Sequence, residues 1–342
     1  MTTAAVRTGP ARLHLSESPY GPSPLALRAA QEALAPTARY PDPARLDPVR
    51  AIAGHNGVAE DRVAVANGSD ELVLLTALAL GDRGRPGVTT AGTFPGYHIC
   101  LQAAGRGCEE VPLDGTRTDA GAVAAAMERA GIVYLCHPHN PSGSVLGHAE
   151  FELLVERAAV TGTPLVVDEA YLEFAPAGTP RLRDYLGSGA PLLSLRTFSK
   201  AHGLAALRIG YAVGSPDLVA RLRAVQGTMP FSVNAVAQAA AVAALADDGH
   251  LRRVRDENAL RRDWFREELQ RRGRRSLPSA TNFVAVPVSD SAAAERLLAQ
   301  GHDILVRDAG RFGLAGHLRV SLGPREDLER FLDALDRIDP VP

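Results

Sequence analysis

A chain of 342 residues exceeds the size at which one hydrophobic core usually stops growing, so one large and one smaller domain are expected. It is 46% hydrophobic and 22% charged, which excludes wholesale disorder, and a formal net charge of −2 lacks the basic footprint of a nucleic-acid binder. No membrane association is expected, since the longest apolar run, Leu72 to Leu80, is about half a membrane span.

At the start of the chain, Met1 to Pro10 lacks the apolar stretch of a secretory leader. The Pro-punctuated segments Ser18–Pro24 and Tyr40–Pro48 read as an extended arm and loops. Runs rich in Val, Leu and Ile follow at Val63–Ala66, Gly87–Thr90, Ile132–Cys136, Leu165–Val167, Leu192–Leu195 and Ile209–Val213. Helical stretches lie between them at Glu71–Leu80, Ala120–Ala130 and Glu150–Val160. Buried strands alternating with helices predict a mostly parallel α/β sheet. Beyond Pro216, helices over Asp217–Val225, Ala235–Ala246 and Leu251–Arg272 lead to strands at Asn282–Val288, Asp303–Arg307 and His317–Leu322, then a closing helix over Arg325–Ile338. That pattern predicts a smaller α+β unit. The expected division is an N-terminal arm (1–35) joined to the small domain, a large domain (36–230) and the small domain proper (231–342).

Arg261 to Arg275 carries seven arginines, but Leu260, Trp264, Phe265 and Leu269 form an apolar face and Asp263, Glu267 and Glu268 interleave the charges. A solvated amphipathic helix follows, not a nucleic-acid surface. Three cysteines, Cys100, Cys108 and Cys136, imply no disulfide framework and favour a reducing, cytoplasmic setting.

Of the 37 basic residues, Lys200 is the one lysine and the other 36 are arginine. Arginine replaces lysine wherever only charge is needed, but it cannot deprotonate or condense with an aldehyde. Lysine does both, so Lys200 is a candidate for covalent chemistry. Three strand ends surround it in the expected topology. Asn67-Gly68-Ser69-Asp70-Glu71 opens a helix whose free N–H groups suit a phosphate, although the same residues also serve as a plain cap. Asp168-Glu169-Ala170-Tyr171 and Thr197-Phe198-Ser199-Lys200 each follow a buried strand, with Arg208 beyond, where α/β folds place ligands. A phosphorylated aldehyde suits this set better than a nucleotide, because no Walker or dinucleotide glycine fingerprint is present.

The segment Arg196 to Tyr211 resembles the lysine segment of fold-type I pyridoxal-phosphate (PLP) aminotransferases and is most similar to that of histidinol-phosphate aminotransferases. Further resemblances run in order: Ser18–Pro24, Arg39–Pro43, Gly68–Glu71, Asn140–Gly143, Asp168–Phe174 and Leu318–Gly323. They imply the PLP-dependent transferase fold type I, an α/β large domain with a mostly parallel sheet and a smaller α+β domain. The implied activity is amino-group exchange between histidinol phosphate and 2-oxoglutarate or glutamate, with PLP as cofactor.

By this resemblance Lys200 is the imine-forming lysine and proton carrier, and Asp168 pairs with the pyridinium nitrogen. Asn140 and Tyr171 bond the ring's 3-oxygen, and Phe94 stacks on the ring. Gly68, Ser69, Asp70, Thr197, Ser199 and Arg208 form the phosphate end, and Tyr40 reaches the phosphate of the neighbouring subunit in a homodimer. Arg319 takes the substrate carboxylate or its equivalent, and Arg307 and Tyr20 contact the distal anionic group. No metal is expected.

The chain departs from the family pattern at His137 and His139, where asparagines flank the retained Asn140, at Ser16 and Ser18, and at His202. These changes are expected at the substrate mouth. They leave open an aminotransferase for another amino acid, or a decarboxylase of a phosphorylated or ordinary amino acid, because fold does not fix reaction. A ligand-binding protein without turnover is the alternative from another class, and a nucleotide-dependent dehydrogenase lacks its motif.

Overall fold

A computed structural model describes residues 9–341; most of the Met1–Pro10 segment and Pro342 lie outside the described residues. The strands are β1 (Ala11–Arg12), β2 (Val63–Ala66), β3 (Gly87–Thr90), β4 (Cys108–Val111), β5 (Ile132–Cys136), β6 (Leu165–Asp168), β7 (Leu192–Thr197), β8 (Gly210–Gly214), β9 (Phe283–Pro287), β10 (Ile304–Leu305), β11 (Arg307–Asp308) and β12 (His317–Ser321). The helices are α1 (Pro24–Glu32), α2 (Leu46–Asn56), α3 (Ser69–Ala79), α4 (Gly96–Ala103), α5 (Ala120–Ala126), α6 (His148–Thr161), α7 (Pro216–Gln226), α8 (Ala235–Leu245), α9 (Asp248–Arg271), α10 (Ser291–His302) and α11 (Arg325–Ile338).

A seven-stranded sheet runs in the order β2-β8-β7-β6-β5-β3-β4. It is parallel except for β8, which is antiparallel to both its neighbours. Alternation along the strands sends side chains to two cores. Val133, Leu135, Leu165 and Val167 pack with Val123 of α5 and Phe151 and Leu154 of α6. Ile132, Tyr134 and Val166 pack on the other face with Leu72 and Leu75 of α3, Leu101 of α4 and Leu222 of α7. Each fully buried aliphatic side chain of this kind contributes about 1.5–3 kcal/mol relative to exposure. The C-terminal ends of β5, β6 and β7 therefore emerge between two helical layers, and that edge carries the site.

The antiparallel set β11-β12-β9 and the short parallel pair β1-β10 form the smaller unit. Its core joins Leu13, Phe265, Leu269, Val284, Val320, Phe331 and Leu332. The segment expected as one strand over Asp303–Arg307 is split, because β10 pairs with β1 while β11 pairs with β12.

The arm's β1 and Leu13 pack with the small unit, while elements on both sides of the large sheet's expected bounds, α1 and α8, pack beside that sheet. Ala26 of α1 and Ala237 and Ala240 of α8 pack with Val63 and Val213, beside the large sheet. The divide in packing falls along α9, where Val254 sits against Tyr171 and Phe265 against the small unit's core. The arm is also more helical than its prolines suggested. Ser23 accepts hydrogen bonds from the Leu25 and Ala26 amides, and Pro24 opens α1, an ordinary helix start. No described helix is long and apolar enough to cross a membrane.

Candidate active site

The ends of β5, β6 and β7, the start of α3 and the small unit enclose a cavity of about 520 Å³. Ser69, Asp70, Phe94, Asn140, Asp168, Tyr171, Thr197, Ser199, Lys200, Arg208, Arg307 and Arg319 all line it, so the resemblance named a group that the fold brings together.

At one end is an anion cradle. Gly68 precedes α3 at φ +86° and provides no side-chain cap, leaving the first amides of the helix for an acceptor. A Cβ on Gly68 would stand 2.5 Å from Arg208 Nη2, so only glycine allows that approach. Arg208 donates to Ser199 Oγ at 3.3 Å and to Asp70 Oδ2 at 2.8 Å, and the Ser199 amide donates to Thr197 Oγ1 at 3.1 Å. Asp70 therefore acts on the guanidinium from the rim.

At the other end Asp168 is buried at the close of β6. It accepts from Tyr97 Oη at 2.7 Å and from the Ala170 amide at 3.1 Å. Burial raises its pKa to about 6, although both donors act in the opposite sense. A buried carboxylate in that state is suited to a cationic ring nitrogen. Tyr171 packs edge-on to Phe283, and burial raises its phenol to about 12.

Lys200 lies between the two ends. Its Nζ donates to the Leu15 carbonyl at 2.9 Å and sits 5.8 Å from the Tyr171 ring centroid. Burial, followed by the positive charge of Arg319, lowers its pKa to about 8. Arg319, buried, donates to Asn140 Oδ1 and to the His14 carbonyl, both at 2.8 Å, while its Nε has no partner. Its guanidinium lies between the rings of Phe283 and Phe312, at 5.3 and 5.6 Å. Arg307 is its register partner across β11 and β12.

Two expected contributors lie elsewhere. Tyr20 packs into the cluster of Ala170, Phe174 and Val254 with Arg261 over its ring at 5.2 Å, and it does not line the cavity. Tyr40 is 82% exposed and stacks on Phe231 at 4.5 Å, away from its own chain's cavity.

The three histidines are not at the mouth as expected. His137 packs on Phe151, with Nε2 3.2 Å from the Pro180 carbonyl. His139 Nδ1 lies 2.9 Å from Ser142 Oγ, and His202 packs on Phe198. Burial lowers all three to about 4, so they are neutral structural rings near neutral pH. Among the described residues no cluster of three or more His, Cys, Asp or Glu is placed to hold a metal.

Sequence reasoning missed Leu15, Glu17, Cys136 and Phe312, which line the cavity, and Tyr97, which holds Asp168. Tyr97 had a local clue, standing one turn after Phe94 on the same chain segment, and Cys136 closes β5 as the register partner of Asp168. Leu15, Glu17 and Phe312 reach the site through long-range packing.

The residues fit PLP: an anion cradle, an amine and a buried carboxylate share one cavity. The chain matches the profile of the aminotransferase class I and II family over residues 12–335. It is 35% identical over 331 residues to a histidinol-phosphate aminotransferase of Moorella thermoacetica, covering 96% of this chain and 85% of the relative. Among solved structures, a histidinol-phosphate aminotransferase of Sinorhizobium meliloti in complex with pyridoxal-5'-phosphate is similar with a TM-score of 0.86 at 32% identity, covering 97% of this chain and 91% of the other. An aspartate aminotransferase double mutant of Thermus thermophilus is similar with a TM-score of 0.85 at 25% identity, covering 96% and 91%. The chain belongs to the class I and II aminotransferases.

Proposed function

We propose that this protein is a PLP-dependent aminotransferase that exchanges an amino group between L-histidinol phosphate and 2-oxoglutarate or glutamate. The observation that carries the reading is the convergence of Lys200, Asp168 and the Arg208 cradle on one cavity that also presents Arg307 and Arg319. When bound, PLP supplies an electron sink for negative charge at the substrate Cα.

The chain's own residues do the rest. The Lys200 amine would anchor the cofactor, then carry a proton off the donor's Cα and, in the second half of the exchange, deliver one to the acceptor's Cα. Asp168 keeps the ring nitrogen protonated by its charge. Asn140 and Tyr171 would hydrogen-bond the ring oxygen, and Phe94 would cover the ring face. Gly68, Ser69, Thr197, Ser199 and Arg208 hold the phosphate, with Asp70 orienting Arg208. Arg319 binds a carboxylate, and Arg307 meets the distal anion, a feature that histidinol phosphate and glutamate share.

We further propose a homodimer in which Tyr40 completes the partner's phosphate site, which accounts for an aromatic pair, Tyr40 and Phe231, left on the surface. The unpaired thiols of Cys100, Cys108 and Cys136 fit a cytoplasmic setting. We divide the chain along α9, with α1 and α8 in the large domain, a reading supported by the packing of Ala26 and Ala237 beside Val63.

The test mixes PLP-loaded protein separately with L-histidinol phosphate, glutamate and other amino acids, following the long-wavelength absorbance of the bound cofactor. Rapid bleaching by histidinol phosphate and glutamate is expected. No bleaching by histidinol phosphate, with bleaching by another amino acid, would overturn the substrate assignment.

A further inference from the structure

Behind the cavity, three charged side chains meet where a hydrophobic contact would be ordinary. Arg196 Nη1 lies 3.7 Å from Glu169 Oε2, and Arg196 Nη2 donates to Glu173 Oε1. Glu169 also accepts from the Leu182 amide at 2.8 Å and from the Ser194 hydroxyl. The three side chains are 1–12% exposed, and none lines the cavity.

Each is tied to a site residue by position. Glu169 follows Asp168, Glu173 stands two past Tyr171, and Arg196 precedes Thr197. Successive residues of a strand point to opposite faces. With Thr197 lining the cavity, Arg196 and Ser194 share the opposite face of β7, and there both meet Glu169 just past the end of β6. Glu173 adds the short helical turn Leu172–Phe174, which carries Tyr171 at its start. Three segments, each presenting one site residue, are thus fastened to one guanidinium.

Stability alone explains this poorly. The triad is two carboxylates to one cation, and both Glu173 Oε2 and Arg196 Nε are buried without hydrogen-bond partners. Buried ion triads are often no better for stability than well-packed apolar side chains, so what they add is geometry.

We propose that Arg196, Glu169 and Glu173 are positioning residues for the active site, an ion triad that sets the spacing of Asp168, Tyr171 and Thr197 around the cofactor. This rests on the PLP reading above. The triad acts at the ring and its phosphate, so its loss affects the cofactor and the chemical step more than substrate binding.

The test compares PLP-loaded wild type, Glu173→Gln, Glu173→Asp and Arg196→Lys by three measurements: melting temperature, the pH midpoint of the bound cofactor's absorbance, and steady-state kinetics. Glu173→Gln is expected to shift the absorbance midpoint and lower kcat about tenfold while KM for glutamate stays within about twofold, since mispositioning costs rate before affinity. Glu173→Asp, which keeps the charge, is expected to recover most of the midpoint and kcat. A lowered melting temperature with an unchanged midpoint and kcat would overturn the proposal. If Glu173→Gln does not fold, Arg196→Lys is judged by the same criteria; if neither folds, the triad is a stability element and the proposal fails. Wild type that takes up no PLP would instead sink the cofactor reading itself, a distinct result.

Discussion

Tyr97 donates its phenolic hydrogen to Asp168 Oδ2 at 2.7 Å, from a ring stacked on Tyr134 with centroids 5.2 Å apart. Both rings are buried, so the donor is held in place before any ligand arrives. The bond favours the ionised carboxylate against burial, which raises its pKa. Tyr97→Phe keeps the ring packing and removes only this donor. A hydrogen bond to a charged group is worth about 1.5–3 kcal/mol, so the PLP dissociation constant is expected to rise about tenfold or more. Equilibrium dialysis checks this; unchanged affinity would show that the Ala170 amide alone suffices.

The amine of Lys200 has its own pH dependence. Burial and Arg319 lower its pKa from 10.5 to about 8. At pH 7 about one amine in ten is then free, against fewer than about one in a thousand for an unperturbed lysine. PLP uptake by the cofactor-free protein is expected to quicken about tenfold per pH unit below 8 and to level off above it. The stability sign is the reverse of a salt-bridged lysine. Between about pH 8 and 10.5 the unfolded chain holds a proton that the folded chain has lost, so this group's contribution to stability rises with pH across that window. Stopped-flow absorbance reads the uptake rate, and the absence of a bend near pH 8 refutes the lowered value.

The parallel sheet was legible because β2, β5, β6 and most of β7 are buried runs rich in Val, Leu, Ile and Ala bounded by polar turns. The site residues at their ends were legible because Lys200, Asp168 and Asn140 belong to short contiguous motifs. Beyond Arg307 and Arg319, the wall opposite was not. Leu15 and Glu17 come from the arm and Phe312 from the small unit, and nothing local says that these segments cross the sheet's edge. The histidines misled for a related reason: their places in the family motifs suggested the mouth, while His137 Nε2 lies against the Pro180 carbonyl and His139 Nδ1 against Ser142 Oγ inside the fold. Tyr20 likewise matched a motif, and it packs in the cluster of Ala170 and Tyr171 without lining the cavity itself.

Gly68 tests the anion cradle. Its φ of +86° is costly for other residues, and any Cβ would meet the Arg208 guanidinium at 2.5 Å. Gly68→Ala is expected to displace Arg208 and weaken PLP about tenfold or more, the loss of one charged hydrogen bond to the phosphate, while the backbone strain lowers stability with or without PLP. Absorbance titration with PLP measures it, with the melting temperature of the cofactor-free protein as control. Affinity within twofold of wild type would mean that Arg208 does not need that approach.

Arg319 separates binding from chemistry. Its two terminal nitrogens reach Asn140 and the His14 carbonyl, and a lysine cannot fork to replace them. Arg319→Lys is expected to raise KM for glutamate about 10–100-fold, the value of one or two charged hydrogen bonds, with a smaller fall in kcat. Steady-state kinetics with glutamate decide it; a fall in kcat alone would assign Arg319 to the chemical step instead.

Tyr40 tests the dimer through genetic logic rather than through mass. It is exposed and outside its own cavity, so any catalytic part it has must be played in a second copy. Lys200→Ala and Tyr40→Ala variants are each expected to show low activity, the first by removing the amine, the second by loosening the partner's phosphate. When the two are dissociated together and reassembled in equal amounts, about half the dimers are hybrids. In each hybrid, the subunit with intact Lys200 receives an intact Tyr40 from its neighbour, and the other site lacks both groups. Recovery of about a quarter of wild-type activity is therefore expected from statistical assembly of one good site in half the dimers. No recovery, with hybrids demonstrated by native mass spectrometry, would place Tyr40 on its own chain's site or outside catalysis altogether.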